Sequence, residues 1–198
     1  MKPRIRPASV DDAAQVLDIY APVVRDSPTS FELVPPSIEE MRGRVSKCLG
    51  HGAWLACEHR GMVLGYAYGG RWRERPAYRW SAEVSVYVRE GEQGRGLGRA
   101  LYTALLAALR LQGFFNAYAG ITLPNAPSVG LHEAMGFEPV GVYRRAGYKF
   151  GAWHDVGWWQ LALKPAEGDP AEPRSLAEVC DTADWREALT GAESYLRG

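Results

Sequence analysis

The sequence predicts an α/β fold in which helices cover both faces of a mixed central sheet. Strand-like and helix-like stretches follow one another in the order β-α-α-β-β-β-α-β-α-β-β, an alternation typical of a layered α/β protein. A glycine-rich loop joins one of these strands to a long helix. The chain has 198 residues, which is enough for one domain with a substantial core.

The chain begins with one strand and two capped helices. Residues 5–7 form a short extended stretch. Ser9 is followed by an acidic residue three positions later, a pattern that caps helices, and the apolar positions after it repeat at helical spacing. Ser37 begins a second pattern of this kind, and its helix is predicted to end near Cys48.

Three strands follow these helices. Residues 54–57 and 62–68 are apolar stretches on either side of a short polar turn that contains glycine, and they predict a hairpin. An arginine-rich loop over residues 71–79 then leads to a strand over residues 82–88.

The second half of the domain continues with a long helix over residues 99–112. Gly136 ends a later helix, because glycine readily adopts the left-handed conformation that follows a helix C-terminus. The remaining predicted elements are a strand over 117–123, that later helix over 127–135, and closing strands over 137–143 and 155–163.

The composition changes at Pro165, so we divide the chain into a domain over 1–164 and a linker with a C-terminal tail over 165–198. Residues 165–173 are rich in proline and acidic side chains, which is typical of a linker. Residues 175–189 can form one short amphipathic helix. Its apolar positions are Leu176, Val179, Trp185 and Leu189.

Charge and cysteine content argue against several classes of protein. The 23 basic and 23 acidic residues cancel, so no overall field attracts nucleic acid or an anionic membrane. Cys48, Cys57 and Cys180 are widely spaced and predict neither a disulfide framework nor a zinc site. No apolar stretch reaches membrane-spanning length and the N-terminus lacks a signal-peptide core, so we expect a cytoplasmic protein.

Residues 93–98, Gln-Gly-Arg-Gly-Leu-Gly, predict an anion site between the fourth strand and the long helix. At a helix N-terminus the first N–H groups lack partners and the helix dipole favours negative charge, so a diphosphate is the natural ligand. A Walker loop would end in Gly-Lys-Ser/Thr. A Rossmann loop needs a glycine where this chain has Arg99 or Leu101, so neither nucleotide motif fits.

The pattern Gln-x-x-Gly-x-Gly after a strand ending in Val-Tyr-Val resembles the acetyl-CoA loop of the GNAT acetyltransferase superfamily. Three more segments resemble its phosphinothricin and methionine-sulfoximine N-acetyltransferase branch. They are Trp-x4-Ala-Tyr-x-Trp-x-Ala-Glu at 72–83, Leu-Pro-Asn-x-Pro-Ser-Val at 123–129, and Gly-x-Trp-His-Asp-Val-Gly-x-Trp-Gln at 151–160. The resemblance covers about residues 5–163. It implies the GNAT acyltransferase fold, acetyl-CoA as co-substrate, no metal, and N-acetylation of a small amino-acid-like substrate.

Glu83 is the predicted general base. Acyl transfer to an amine needs a free lone pair, and a nearby carboxylate can take the ammonium proton directly or through water. Glu83 lies in an otherwise apolar or small-residue strand, where a charge is costly unless it is used. From spacing alone a solvent-facing glutamate remains equally open. The resemblance implies the catalytic role, because the matching glutamate of the family is the proposed base.

His132 lies where many GNAT enzymes carry a tyrosine that protonates the leaving thiolate, and the phosphinothricin branch also has histidine there. A histidine has a pKa near the working pH, so it can donate that proton or assist the base; a structural role stays open. His154 and Asp155 are adjacent on a strand and therefore point to opposite faces. We expect His154 to be structural or to form a pocket wall.

The resemblance also implies the acetyl-CoA contacts. The strand backbone from Val86 through Tyr87 to Val88 is expected to pair with the pantetheine arm, and the Val86 N–H to hold the thioester oxyanion. Asn125 and, more weakly, Ser128 are expected at CoA, although Asn125 can equally cap a helix. The expected diphosphate contacts are Gly94, Arg95, Gly96, Leu97, Gly98 and Arg99.

The arginine-rich loop is the predicted site for the substrate carboxylate, which a guanidinium binds with two parallel hydrogen bonds. The resemblance implies Arg73, Arg75 and Tyr78 at the carboxylate and Phe31 as an aromatic lining residue. At least two of the four arginines of the loop are expected to be solvated. Family members commonly form homodimers, and residues 153–160 are expected to contribute to that interface.

Two alternatives stay open at this stage. A GNAT enzyme acting on another small amine or on a peptide N-terminus would keep the fold and change the substrate. A non-catalytic acyl-CoA-binding module would bind CoA without turnover. For the enzyme we expect direct attack of the amine on the thioester, because no cysteine falls in a matched catalytic motif.

Overall fold

The computed structural model describes residues 2–197, which contain a seven-stranded mixed sheet with helices on both faces. This arrangement confirms the predicted fold class. The strands are β1 (Arg4–Pro7), β2 (Ala53–His59), β3 (Met62–Arg71), β4 (Ser81–Val88), β5 (Asn116–Leu123), β6 (Glu138–Lys149) and β7 (Ala152–Ala162). The helices are α1 (Ala13–Asp26), α2 (Ile38–Leu49), α3 (Leu97–Gln112), α4 (Ala126–Ala134), α5 (Leu176–Cys180) and α6 (Ala183–Glu193).

The strands lie in the order β1-β2-β3-β4-β5-β7-β6, and every neighbouring pair except β4 and β5 is antiparallel. The parallel pairing of β4 with β5 covers only Ser81–Glu83 opposite Asn116–Tyr118. Beyond Glu83, β4 continues along β3 as far as Val88, and β5 continues along β7 as far as Leu123. The sheet therefore opens between β4 and β5 after three paired residues.

Side chains alternate between the two faces of the sheet along each strand, and each face has its own hydrophobic core. In β2, Leu55 and its alternate neighbours pack with α3, whereas Trp54 and Ala56 pack with α1 and α2. Helix α3 buries Leu101, Leu105 and Leu109 at a spacing of four residues, which places them on one helix face. The sheet is therefore covered by α1 and α2 on one face and by α3 on the other.

The local signals for the helices and the first hairpin are confirmed. Ser9 and Ser37 each form a complete capping box. Ser9 caps a short 3-10 turn that leads into α1, and Ser37 caps α2 directly. The two residues between β2 and β3 include Gly61, whose φ of 82° is readily accessible to glycine.

The closing hairpin is longer than predicted. Strands β6 and β7 are joined by Phe150 and Gly151, with φ values of 53° and 76°. Two successive left-handed residues make the tight turn that matches the twist of a hairpin. Glycine is typical of this conformation but phenylalanine is not, so the Phe150–Gly151 pair is only a weak turn signal in the sequence.

The C-terminal segment forms two helices where the sequence predicted one. The break lies at Asp181 and Thr182, and the Thr182 hydroxyl caps α6 by accepting from the Trp185 N–H at 3.2 Å. The buried side chains Leu176, Val179, Trp185 and Ala192 join the core around α3. Residues 176–193 therefore add to the core of the domain.

We predict that packing of α5 and α6 against the core around α3 stabilises the fold measurably. Leu176 in α5 is 4% exposed, so Leu176→Ala should lower the free energy of unfolding by about 2–5 kcal/mol through lost burial and a cavity. Leu33→Ala is the matched control, because Leu33 is 74% exposed and its loss should change stability by less than about 0.5 kcal/mol. Chemical denaturation monitors both variants. Equal, small effects would show that the C-terminal helices do not pack as described.

Candidate active site

The opening between β4 and β5 holds a small cavity of about 70 Å³. Its walls come from both strands and from helices α3 and α4. The lining residues are Thr29, Val84, Ser85, Val86, Tyr87, Tyr102, Gly120, Ile121, Thr122, Asn125, Ser128 and His132. Five residues predicted from the sequence thus line one cavity: Val86, Tyr87, Asn125, Ser128 and His132.

The glycine loop lies directly before α3. Gly94 and Gly96 have φ values of 77° and 82°, a left-handed conformation that favours glycine. Helix α3 begins at Leu97, two residues before the predicted start, so Leu97 and Gly98 form its first turn. N–H groups of a first turn have no intrahelical partner and point outward along the helix axis. The geometry is that of an anion site.

Glu83 is the last residue of β4 that pairs with β5. Its carboxylate makes no hydrogen bond or ion pair with the other residues between 2 and 197 that the structure describes. Burial raises the pKa of the Glu83 carboxyl, and the positive charge of Arg73 lowers it by a smaller amount. Glu83 is not among the residues that line the cavity, but the next residue, Val84, is. A half-buried carboxylate with a raised pKa at this position has the properties of a general base.

His132 is buried and hydrogen-bonded through both ring nitrogens. Nδ1 lies 2.7 Å from the Ser128 carbonyl oxygen, and Nε2 lies 2.8 Å from the Tyr102 hydroxyl. A carbonyl only accepts hydrogen bonds, so Nδ1 carries the proton and Nε2 accepts from Tyr102. Burial lowers the pKa of His132, which keeps the imidazole neutral.

Tyr102 is a cavity residue that the sequence did not single out. It lies on α3 as one apolar position among many, and only the fold brings it to His132. Burial raises the pKa of its hydroxyl well above the ordinary value, so the group stays protonated and acts as a hydrogen-bond donor.

Asn125 and Ser128 begin α4. The Asn125 side-chain oxygen caps the helix by accepting from the Ser128 N–H at 3.2 Å. Because a carboxamide has both an acceptor and donors, the capping role leaves the NH₂ group of Asn125 for another partner. The helix cap and the cofactor contact expected from the sequence are therefore compatible.

An aromatic stack places Arg73 near Glu83. Trp72 stacks on Tyr118 with a ring-centroid distance of 4.3 Å, and Tyr118 is the β5 neighbour of Glu83. The Arg73 guanidinium lies 4.9 Å from the Trp72 ring centroid. Tyr78 contacts the same indole edge-on at 5.1 Å. The Trp72 ring thus holds together two of the residues predicted to bind the substrate.

Two other arginines of this loop differ in their surroundings. Arg75 is exposed and precedes a 3-10 turn in which its carbonyl accepts from the Tyr78 N–H at 2.9 Å. Arg79 forms an ion pair with Glu172 from the segment after β7. Arg79 is therefore engaged with the C-terminal part of the chain, whereas Arg75 remains beside Tyr78.

Phe31 lies against the β6–β7 hairpin. Its ring centroid is 6.2 Å from that of His154, and a side chain at Gly147 would overlap the Phe31 ring. His154 Nε2 donates to the Lys149 carbonyl at 3.0 Å, and Asp155 instead accepts from Arg144. His154 and Asp155 do not pair, as strand alternation predicted.

A larger cavity of about 270 Å³ lies beside the candidate site, between α2 and strands β2 and β3. It is lined by aromatic rings such as Trp54, Tyr66 and Tyr68, and none of the predicted site residues reaches it. Gly70 lies in its wall and is the β3 neighbour of Glu83. The wall of this cavity is therefore one strand away from Glu83.

Two features are absent from residues 2–197. Within that range no three His, Cys, Asp or Glu side chains are grouped to hold a metal ion. None of the helices described there has both the length and the apolar character needed to cross a membrane.

Known proteins match this chain over most of its length. The acetyltransferase (GNAT) domain family matches residues 5–158. Phosphinothricin N-acetyltransferase of Streptomyces viridochromogenes is 44% identical over 170 residues, which cover 85% of this chain and 93% of that protein. The L-methionine sulfoximine/L-methionine sulfone acetyltransferase of Pseudomonas aeruginosa is 36% identical over 172 residues, which cover 86% of this chain and 100% of that protein.

A solved structure gives the same result. A GNAT superfamily phosphinothricin acetyltransferase from Sinorhizobium meliloti in complex with AcCoA superposes with a TM-score of 0.82 and 33% identity. The match covers 87% of this chain and 95% of that one. These findings confirm the resemblance drawn from the sequence motifs. The chain belongs to the GNAT acetyltransferase superfamily and is an acetyl-CoA-dependent acyltransferase.

Proposed function

We propose that this protein acetylates the α-amine of a small amino-acid analogue of the phosphinothricin, methionine sulfoximine or methionine sulfone type. The observation that carries the proposal is the Glu83 carboxylate at the point where β4 and β5 separate, where it pairs with no other residue between 2 and 197 and has a raised pKa. The positive charge of Arg73 acts on the same carboxylate, so one end of the site suits an amine and the other a carboxylate. The names of the relatives agree with this substrate class.

Separate groups of residues bind the different parts of acetyl-CoA. Acetyl-CoA supplies the acetyl group as a thioester. The loop of residues 94–99 holds the diphosphate, and the backbone of residues 86–88 pairs with the pantetheine arm in the opening between the strands. Asn125 and Ser128 contact the cofactor from the start of α4. The Val86 N–H donates to the thioester carbonyl oxygen as negative charge develops there.

Glu83 removes a proton from the substrate ammonium, directly or through water, and frees the lone pair that attacks the thioester carbonyl. The carbon–sulfur bond then breaks, the thiolate leaves with the bonding electron pair, and the second amine proton passes to the thiolate or to solvent. A neutral His132 with a lowered pKa is a poor proton donor near neutral pH, so we assign it a positioning role. It accepts the hydrogen bond of the Tyr102 hydroxyl and so fixes that group, whose oxygen can still accept a hydrogen bond at the same cavity.

We further propose a cytoplasmic homodimer that binds neither nucleic acid nor membrane. Strand β6 is at the edge of the sheet. It and the following turn and strand carry exposed apolar side chains, which suits this region to a protein interface. Those side chains are Val140, Val142, Tyr143, Tyr148, Phe150 and Trp153. The balanced charge of the chain supports the absence of nucleic-acid and membrane partners.

The substrate class is tested by CoA release with phosphinothricin, methionine sulfoximine, methionine sulfone, common amino acids, a polyamine and a peptide. We expect turnover only with the first three. Arg73→Gln should raise the KM for these substrates about 10- to 100-fold, because it removes a charge-assisted pair with the carboxylate. Arg79→Gln is the matched control, because Arg79 pairs with Glu172.

Turnover only with the polyamine or the peptide would leave the acetyltransferase activity established but show that the proposed substrate class is wrong. Tight CoA binding without turnover of any acceptor would instead support a non-catalytic acyl-CoA-binding module. An equal effect of Arg73→Gln and Arg79→Gln would remove Arg73 from the substrate site.

The base is tested through the pH dependence of kcat/KM. Because the pKa of Glu83 is raised, its protonated, inactive form persists to higher pH than for an ordinary glutamate. The wild-type rate should therefore rise with pH through this pKa. Glu83→Gln should lower kcat/KM by about 10²- to 10⁴-fold and abolish that rise. A change of less than about threefold, with the pH profile unaltered, would show that another group is the base.

A further inference from the structure

The C-terminal strap, which we define as Tyr195, Leu196 and Arg197, lies against the glycine loop. The Arg197 N–H donates to the Arg95 carbonyl at 3.1 Å. A Cβ atom at Gly96 would overlap the backbone carbonyl oxygen of Tyr195. The strap therefore contacts the loop main chain at two successive residues.

The strap also contacts a side chain of the first turn of α3. The Arg99 guanidinium lies 4.6 Å from the centroid of the Tyr195 ring, a cation–π distance. An exposed arginine has many rotamers, and this contact restricts them. Arg99 is one of the residues proposed to hold the diphosphate, so the ring acts on the cofactor site through Arg99.

The strap is anchored independently of the loop. Helix α6 buries Trp185 and Ala192 against the core, and Leu196 packs on the same core. Glu193 accepts a hydrogen bond from the Ile5 N–H at 2.7 Å, which ties the end of α6 to β1. The loop is thus held by an element that is itself fixed to the sheet and to α3.

This element lies beyond the segment that matches the GNAT domain family. The GNAT domain match ends at residue 158, and the S. viridochromogenes relative aligns with 85% of this chain. The strap is formed by residues 195–197, close to the end of the chain. The contact with the loop is therefore supplied from outside the segment that matches the domain family.

We propose that the strap is a positioning element of the acetyl-CoA site, with Tyr195 as its positioning residue. It holds the loop in the left-handed conformation that aims the first-turn N–H groups at the diphosphate, and it restrains Arg99. A flexible glycine loop loses conformational entropy when it closes on a ligand, so a loop that is already held binds more tightly. The proposal rests on the assignment of residues 94–99 as the diphosphate loop.

The first experiment measures CoA dissociation constants by isothermal titration calorimetry for full-length variants. Tyr195→Ala should weaken CoA binding about three- to tenfold, whereas Tyr195→Phe, which keeps an aromatic face, should stay within about twofold of wild type. In an Arg99→Gln background, Tyr195→Ala should raise the CoA dissociation constant by less than about a further 1.5-fold, because the two changes remove the same contact. The KM for the amine substrate should not change.

A second pair of variants tests the main-chain contact. Gly94→Ala and Gly96→Ala impose similar left-handed strain, but only the alanine at 96 meets the strap, since nothing lies within 4 Å of a Cβ at 94. Gly96→Ala should therefore weaken CoA binding several-fold more than Gly94→Ala. Thermal unfolding of each variant confirms that it is folded before binding is measured.

The results distinguish failure of the strap's positioning role from failure of the assignment of the loop to acetyl-CoA binding. Wild-type affinity in Tyr195→Ala, with equal effects of the two glycine variants, would overturn the positioning role and leave the acetyl-CoA site intact. A loss of thermal stability in Tyr195→Ala without any change in CoA affinity would also overturn it, because it would show a purely structural contact. Failure of the wild-type protein to bind CoA would instead contradict the loop assignment on which the strap depends.

Discussion

The separation of β4 from β5 after Glu83 is the constraint on which the candidate site depends. Backbone N–H and C=O groups inside a sheet normally pair with the neighbouring strand. Here β4 and β5 pair over three residues and then each continues with only its other neighbour. The edges that face the opening are therefore available to an extended ligand such as a pantetheine arm, which would act as a strand added to the sheet.

Burial beside the opening also shifts the pKa values of Glu83 and His132. Burial disfavours charge, so it raises the pKa of Glu83 and lowers the pKa of His132. The shift in Glu83 brings a carboxylate closer to the pKa range useful for accepting an amine proton. The shift in His132 keeps it neutral and able to accept from Tyr102. One physical cause thus gives the proposed base and the proposed positioning residue opposite pKa shifts.

The sequence predicted the elements that are determined by local chemistry. The capping boxes at Ser9 and Ser37 and the glycine loop before α3 depend on residues within a few positions of one another. The sequence did not predict what tertiary contacts determine. Tyr102 reaches His132 from a position 30 residues earlier in the chain. The β6–β7 turn has phenylalanine, and not glycine or asparagine, at the first of its two left-handed positions. The sequence also did not predict that the C-terminal segment forms two helices that belong to the core. Leu176 and Trp185 are buried only because these helices pack on α3.

The central claim is that acetyl-CoA lies in the opening between β4 and β5, with its diphosphate on the glycine loop and the acceptor amine at Glu83. A crystal structure of the protein with CoA and methionine sulfone tests it most directly. We predict the pantetheine arm beside Val86, the diphosphate at the N–H groups of Leu97 and Gly98, and the amine within hydrogen-bonding distance of Glu83 or of a water bound to it. CoA bound elsewhere, with β4 and β5 closed on each other, would contradict the account.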